Sequence, residues 1–227
     1  MLAMLDAMQT ILDAKLYAKM LLRDMPDLWQ HVEAVASYAD EISTQLLLSP
    51  NEHEVCVMAA WLHDIGHTPS LATTGFPHLD GATHLRELGL HRIANIVAYH
   101  SSGQDEAFYR GLANNLALFT PDLSLASDCV TFADMSTGPN GERMRLEARV
   151  GEVTARYGNA HVVSRGMHTA VPRLRTIFTN VQQRLSMTHD HFSVYPLIPL
   201  HWEHPLGPED QGRPATRTSS PLSAQGY

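Results

Sequence analysis

The fold of this chain turns on Val55-Cys56-Val57-Met58-Ala59-Ala60-Trp61-Leu62-His63-Asp64-Ile65-Gly66-His67-Thr68-Pro69. An almost fully apolar run from Val55 to Leu62 ends in an adjacent imidazole and carboxylate, and Gly66 and Pro69 then stop the helix that carried them. Burying that run draws His63 and Asp64 toward the interior. An unpartnered polar group is costly there, and an uncompensated charge more so, unless a metal or a partner takes it up.

Working backward, Ser49-Pro50-Asn51-Glu52 reads as a capping box with proline at the first helical position, and it starts the helix that delivers His63 and Asp64. Before it, Leu28 to Leu47 forms a helix with the stripe Val32, Val35, Ala36, Ala39, Ile42 and Leu46. His31 stands one turn before Val35, at the edge of that buried face. Residues 3–23 carry apolar residues at helical intervals up to the break at Asp24-Met25-Pro26-Asp27.

Working forward, the loop Thr68–Pro77 is turn-rich, as a segment lining an opening would be. Two short helices follow, Gly81–Leu88 and His91–His100. In the second, Ile93, Ile96, Val97 and His100 share one face, so His100 ends a helix on its core side. Thr120-Pro121-Asp122 reads as a proline-assisted start for a helix from Leu123 to Ala133, with the carboxylate of Asp134 at its tail. Glu142–Tyr157 is a charged, peripheral helix and Pro172–Met187 a last one. No internal repeat and no strand alternation is present, so the class is all-α. The helical domain spans 1–190, and the segment 191–227, rich in proline, serine and glycine, reads as a flexible tail.

The 227 residues, 44% hydrophobic and 18% charged, suit a globular protein with a substantial core. No apolar stretch approaches the ~20 residues needed to span a bilayer. Asp6 interrupts the apolar start and no basic segment precedes it, so no signal peptide is read and the expected location is cytoplasmic. Cys56 and Cys129 lie in apolar runs without C-x-x-C spacing and read as buried free thiols of a reducing compartment. A net charge of −8 argues against a nucleic-acid polymer as partner, though not against one small phosphate. Fourteen histidines raise the prospect of metal or acid–base chemistry. The oligomeric state is not readable.

A ligand-type residue at the edge or end of an apolar helix thus recurs at His31, at His63-Asp64, at His100 and at Asp134. Helix ends converging with imidazoles and carboxylates are how helical folds build metal sites. The mixture suits a mid-row divalent ion rather than a thiolate or all-oxygen site.

The order His31, His63-Asp64, Asp134 resembles the HD-domain superfamily of metal-dependent phosphohydrolases, over about residues 28–157. The phrases AAWLHDIGH, TGF…LDGA and FADMSTGPNGE look like a bacterial subgroup of it. The resemblance implies a helical bundle and a divalent ion (iron, manganese, cobalt, zinc, nickel or magnesium), one or two per chain, held by those four residues. It also implies hydrolysis of a phosphate ester or anhydride of a small molecule, often a nucleotide. Many members add two histidines and a second metal. His100 in AYHSSG matches one of these. The other belongs four residues before Gly81-Ala82, where Pro77 stands with His78 beside it, and His84 lies on the wrong side of the pair. Asp64 is read as ligand and water-steering group, and His67 as proton donor or phosphate contact. Arg86 and Arg143 are weak phosphate-binding candidates, since a charged helix carries such residues anyway and each reads first as a solvated face.

Three rival readings stand beside this one. Six-ligand HD proteins can hold two irons and use dioxygen to cleave a carbon–carbon or carbon–phosphorus bond. His63-Asp64-Ile65-Gly66-His67 imitates the H-E-x-x-H of zinc peptidases, but that pattern needs an unbroken helix and a longer carboxylate. The last is a non-catalytic domain that senses a nucleotide.

Overall fold

The computed structural model describes residues 10–189. The expectations for residues 1–9 and for the tail at 191–227 therefore fall outside the described residues.

The chain is helical, and among the described residues no strand forms beyond an isolated bridge between Thr137 and Arg143. The elements are α1 (Ile11–Leu21), α2 (Pro26–Gln45), α3 (Pro50–Leu62), a 3-10 turn (Ile65–His67), α4 (Pro77–Glu87) and α5 (His91–Tyr99). There follow α6 (Gly103–Arg110), α7 (Ala113–Leu116), α8 (Leu125–Met135), α9 (Leu146–Tyr157) and α10 (Val162–His189). None of these is both long and apolar enough to cross a membrane.

Helix α3 is the axis of the bundle, packed against α1, α2, α5 and α8. Every residue from Cys56 to Leu62 is buried, so the helix is apolar on all sides because it has neighbours on all sides. It starts where the sequence places it, with Pro50 first and the Ser49 hydroxyl accepting from the Glu52 amide at 3.3 Å. The reciprocal half of the capping box yields to a stronger partner. The Glu52 carboxylate takes a bidentate pair of bonds from Arg92, at 2.6 and 2.8 Å.

Several boundaries differ from the sequence reading, each for a local reason. Helix α8 starts at Leu125 rather than beside Pro121, because Ser124 caps it through the Ser127 amide while Asp122 is held by Arg92 at 2.8 Å. Helix α9 begins at Leu146, not Glu142, since residues 138–142 form a turn in which Gly138 and Glu142 bond each other. Helix α10 begins ten residues before Pro172 and runs straight through it. Its buried stripe of Met167, Ala170, Leu174, Phe178 and Val181 packs on α6, α8 and α9, and that packing outweighs the lost amide. Helices α6 and α7 were not anticipated. The inner face of α6 is Gly103, Glu106 and Ala107, which carries no apolar periodicity. Cys56 and Cys129 are buried free thiols.

Gly66 sets the depth of the turn that follows α3. A Cβ there would meet the Pro77 carbonyl oxygen at 1.9 Å and the Gly81 amide nitrogen at 2.6 Å. The 3-10 turn therefore lies directly on the first turn of α4, with no side chain between.

Candidate metal centre

Three helix ends and one helix interior bring the predicted ligands together. His63 is the C-cap of α3, Asp64 follows it, His100 is the C-cap of α5, Asp134 sits in the last turn of α8, and His31 faces inward from α2. His31, His63, His100 and Asp134 are all buried. Two overlapping groups place their ligand atoms within 4.8 Å of one another: His31, His63 and Asp134, and His63, Asp64 and His100.

The tautomers are fixed by backbone. Nδ1 of His31 donates to the Gly138 carbonyl at 3.0 Å, that of His63 to Ala60 at 2.8 Å, and that of His100 to Val97 at 2.7 Å. A carbonyl can only accept, so each Nδ1 carries its proton and each Nε2 is turned inward toward the carboxylates. A metal-binding imidazole is held in this way, its far nitrogen donating to a fixed acceptor.

Asp64 stands between the two groups. Its Oδ2 lies 3.3 Å from His63 Nε2 and 3.9 Å from His31 Nε2, and its Oδ1 lies 3.7 Å from His67 Nε2 and 4.0 Å from His100 Nε2. Asp134 Oδ1 is 3.2 Å from His31 Nε2, while its Oδ2 accepts a very short hydrogen bond from the Ser101 hydroxyl.

His78 joins the cluster despite its displaced register. Its ring stacks on that of His100 with centroids 4.2 Å apart and an interplanar angle of 16°. Gly103 makes the room, since a Cβ there would meet His78 Cδ2 at 2.7 Å. His67 lies beside Asp64 at the more exposed side of the cluster, with 21% of its side chain exposed.

The electrostatics of the cluster favour positive charge among its carboxylates. Burial alone would lower the pKa of His63, but Asp64 and Asp134 outweigh it and hold the imidazolium up to about 9. Burial would raise both carboxylates, yet His63, His67 and His31 keep Asp64 well below the usual range, and His31 and His63, with Arg149, do the same for Asp134. Burial presses His100 and His78 down, with His63 and His100 respectively adding to it. Nε2 of His63 and Nε2 of His78 are buried without a hydrogen-bond partner. A divalent ion fits this set, because imidazole nitrogens and carboxylates are its ordinary donors and two of those nitrogens make no hydrogen bond. The proton on His63 is what the ion would replace.

Arg86 and Arg143 are not brought to the cluster. The Arg86 guanidinium covers the Phe119 ring at 4.3 Å, and that of Arg143 lies 3.4 Å over Tyr38 and bonds Thr137 at 3.2 Å. Nor does the chain form the continuous helix of a zinc peptidase, since α3 ends at Leu62 and His67 lies in the 3-10 turn.

Two residues of the site escaped the sequence reading. Arg149 reaches in from α9, whose charged face had read as peripheral; its Nη2 is 4.0 Å from Asp134 Oδ1. Ser101 follows His100 in AYHSSG and was within reach of a motif reading. Its backbone is left-handed, φ 50°, and its amide is held by the Thr131 hydroxyl at 3.2 Å and its carbonyl by Arg173 at 2.7 Å. That conformation is strained for a residue with a Cβ, and its neighbours impose it. It aims the hydroxyl at Asp134. Ser101→Ala keeps the strain and removes the bond, so metal affinity is expected to fall about 10- to 100-fold. Titration of the metal-free protein against a chelating indicator measures it, and an unchanged affinity would mean that Asp134 needs no such support.

Compared with known proteins, residues 28–150 match the family model described as the HD domain, a little over half of the chain. No curated protein and no solved structure matches the chain.

Proposed function

Because the chain belongs to the HD-domain family, we propose that it is a metal-dependent phosphohydrolase acting on a phosphate ester or anhydride of a small molecule, a nucleotide being the first class to test. The observation that carries this is the convergence of three backbone-locked Nε2 atoms on two carboxylates.

His31, His63, Asp64 and Asp134 would hold the ion. So held, it supplies Lewis acidity toward a phosphoryl oxygen and lowers the pKa of a neighbouring water. The chain's own groups do the rest. The Nδ1–H bonds keep the imidazoles from reorienting, so no reorganisation is needed as charge develops. Asp64 offers Oδ1 on the side of His67 and His100, where it can orient a water. Burial holds the pKa of His67 below its ordinary value, and His63, His31 and Arg110 press the same way against Asp64. His67 is therefore neutral near pH 7. In that form it suits a hydrogen bond from its N–H to a phosphate oxygen better than protonation of a leaving group.

A phosphate-release screen over nucleotides and sugar phosphates, with added manganese, cobalt, iron or magnesium, tests the proposal. Release that a chelator abolishes and metal restores is expected; no release across the panel would contradict it.

A second reading draws support from the stacked pair His78 and His100. With Asp64 facing both groups, a six-residue set is available for two ions, as in the diiron oxygenases of this superfamily. His78→Ala is expected to lower metal content from two ions per chain to one. If two remain, another residue serves. Iron in the purified protein together with substrate-dependent oxygen consumption would favour the oxygenase over the hydrolase.

A further inference from the structure

Arg149 has more hydrogen-bonding capacity than its surroundings use. Its side chain is 11% exposed, and its Nε is buried with no partner. A guanidinium keeps its charge and presents a rigid fork of donors, so an unfilled one in the interior is costly. Its Nη1 donates to Glu152 in a very short bond. The same Glu152 carboxylate also takes Nε of Arg156 at 2.8 Å, and Nη2 of Arg156 in another very short bond. One carboxylate thus faces two guanidinium groups, and the assembly keeps one positive charge in excess.

The direction of Arg149 gives that excess a use. Its Nη2 is 4.0 Å from Asp134 Oδ1, the oxygen that faces His31 Nε2. The incompletely filled fork of Arg149 thus borders Asp134, one of the residues that would hold the ion.

We propose that Arg149 is the anchor for the substrate's phosphoryl oxygens at this centre, with Glu152 as the resting counter-ion that holds it in place until an oxyanion arrives. A tetrahedral oxyanion accepts two parallel N–H bonds from a guanidinium, which the single Glu152 contact does not supply. Glu152 remains paired with Arg156 when Arg149 turns to the substrate. The inference rests on the phosphohydrolase reading.

The test uses the full chain loaded with metal and inorganic phosphate as the probe, with binding followed by calorimetry and metal content measured alongside. Arg149→Met is expected to weaken phosphate binding on the order of 100-fold at unchanged metal content, and Arg149→Lys by less, since an ammonium keeps the charge without the fork. Glu152→Gln is expected to tighten phosphate binding, because it removes the anion that competes for the same donors. A purely structural ion pair predicts the opposite for Glu152→Gln: lower stability with no gain in affinity. If Arg149→Met fails to fold, the Arg149→Lys and Glu152→Gln variants decide. Phosphate affinities in them equal to wild type would overturn the proposal. A wild type that releases phosphate from a substrate while its phosphate affinity ignores position 149 defeats the anchor alone. A wild type that neither releases nor binds phosphate defeats both.

Discussion

His63→Ala and Asp64→Ala are each expected to remove bound metal and phosphate release together while leaving helical content intact. His63 contributes an Nε2 that makes no hydrogen bond and lies 3.3 Å from Asp64 Oδ2, and Asp64 contributes an oxygen to each half of the cluster. Neither holds the bundle together. Helix α3 ends at Leu62, and its packing rests on the apolar residues from Cys56 to Leu62. Without a cation, His63 stores a proton between two carboxylates, and its pKa of about 9 means this pairing stabilises the metal-free protein below roughly pH 6.5 and is lost as pH rises through 9. The His63→Ala protein should therefore show a flatter stability profile across that window than the metal-free wild type. Circular dichroism, phosphate release and metal content measured on one preparation check the prediction. Wild-type turnover in either variant would defeat the assignment of the site.

Gly66→Ala is expected to be the most destabilising glycine-to-alanine change among the described residues. The added Cβ would overlap the Pro77 carbonyl and the Gly81 amide, both backbone atoms at the start of α4, so no side chain can swing aside to relieve it. The penalty is about 3 kcal/mol, at the upper end for overpacking, which corresponds to a fall in Tm of about 6–12 °C for a domain of this size. Because His67 follows Gly66 directly and Asp64 stands two residues before it, relaxation of the clash would also shift both side chains. The control is Gly151→Ala. This glycine sits within α9 with nothing close to its missing Cβ, so the substitution is expected to stabilise by about 0.5–1 kcal/mol. Chemical denaturation of the two variants side by side separates the cases, and equal midpoints would mean that the 3-10 turn does not rest on α4 as described.

The helical class and the order of the ligands were legible because both are local. An apolar run that ends in His63-Asp64 identifies a buried helix and its polar terminus together, and Ser49-Pro50 marks where that helix begins. What was not legible depended on distant partners. Displacing a histidine by one position on a helix turns it through about 100°, so His78 read as only a weak match to the second-metal position. Its ring nevertheless lies on His100, because Gly103, some 25 residues away in sequence, leaves the space open. Arg149 was invisible for another reason. A charged helix reads as solvated, and only the fold reveals that one of its arginines points inward. The boundaries of α8 and α10 shifted where a serine cap or a buried stripe outweighed the nearby proline.

Elemental analysis of wild-type protein purified without added metal, beside His63→Ala prepared identically, bears most directly on the centre. The account predicts at least one equivalent of a mid-row divalent ion per wild-type chain and a marked loss from the variant. Wild-type protein that holds no more metal than His63→Ala would contradict it.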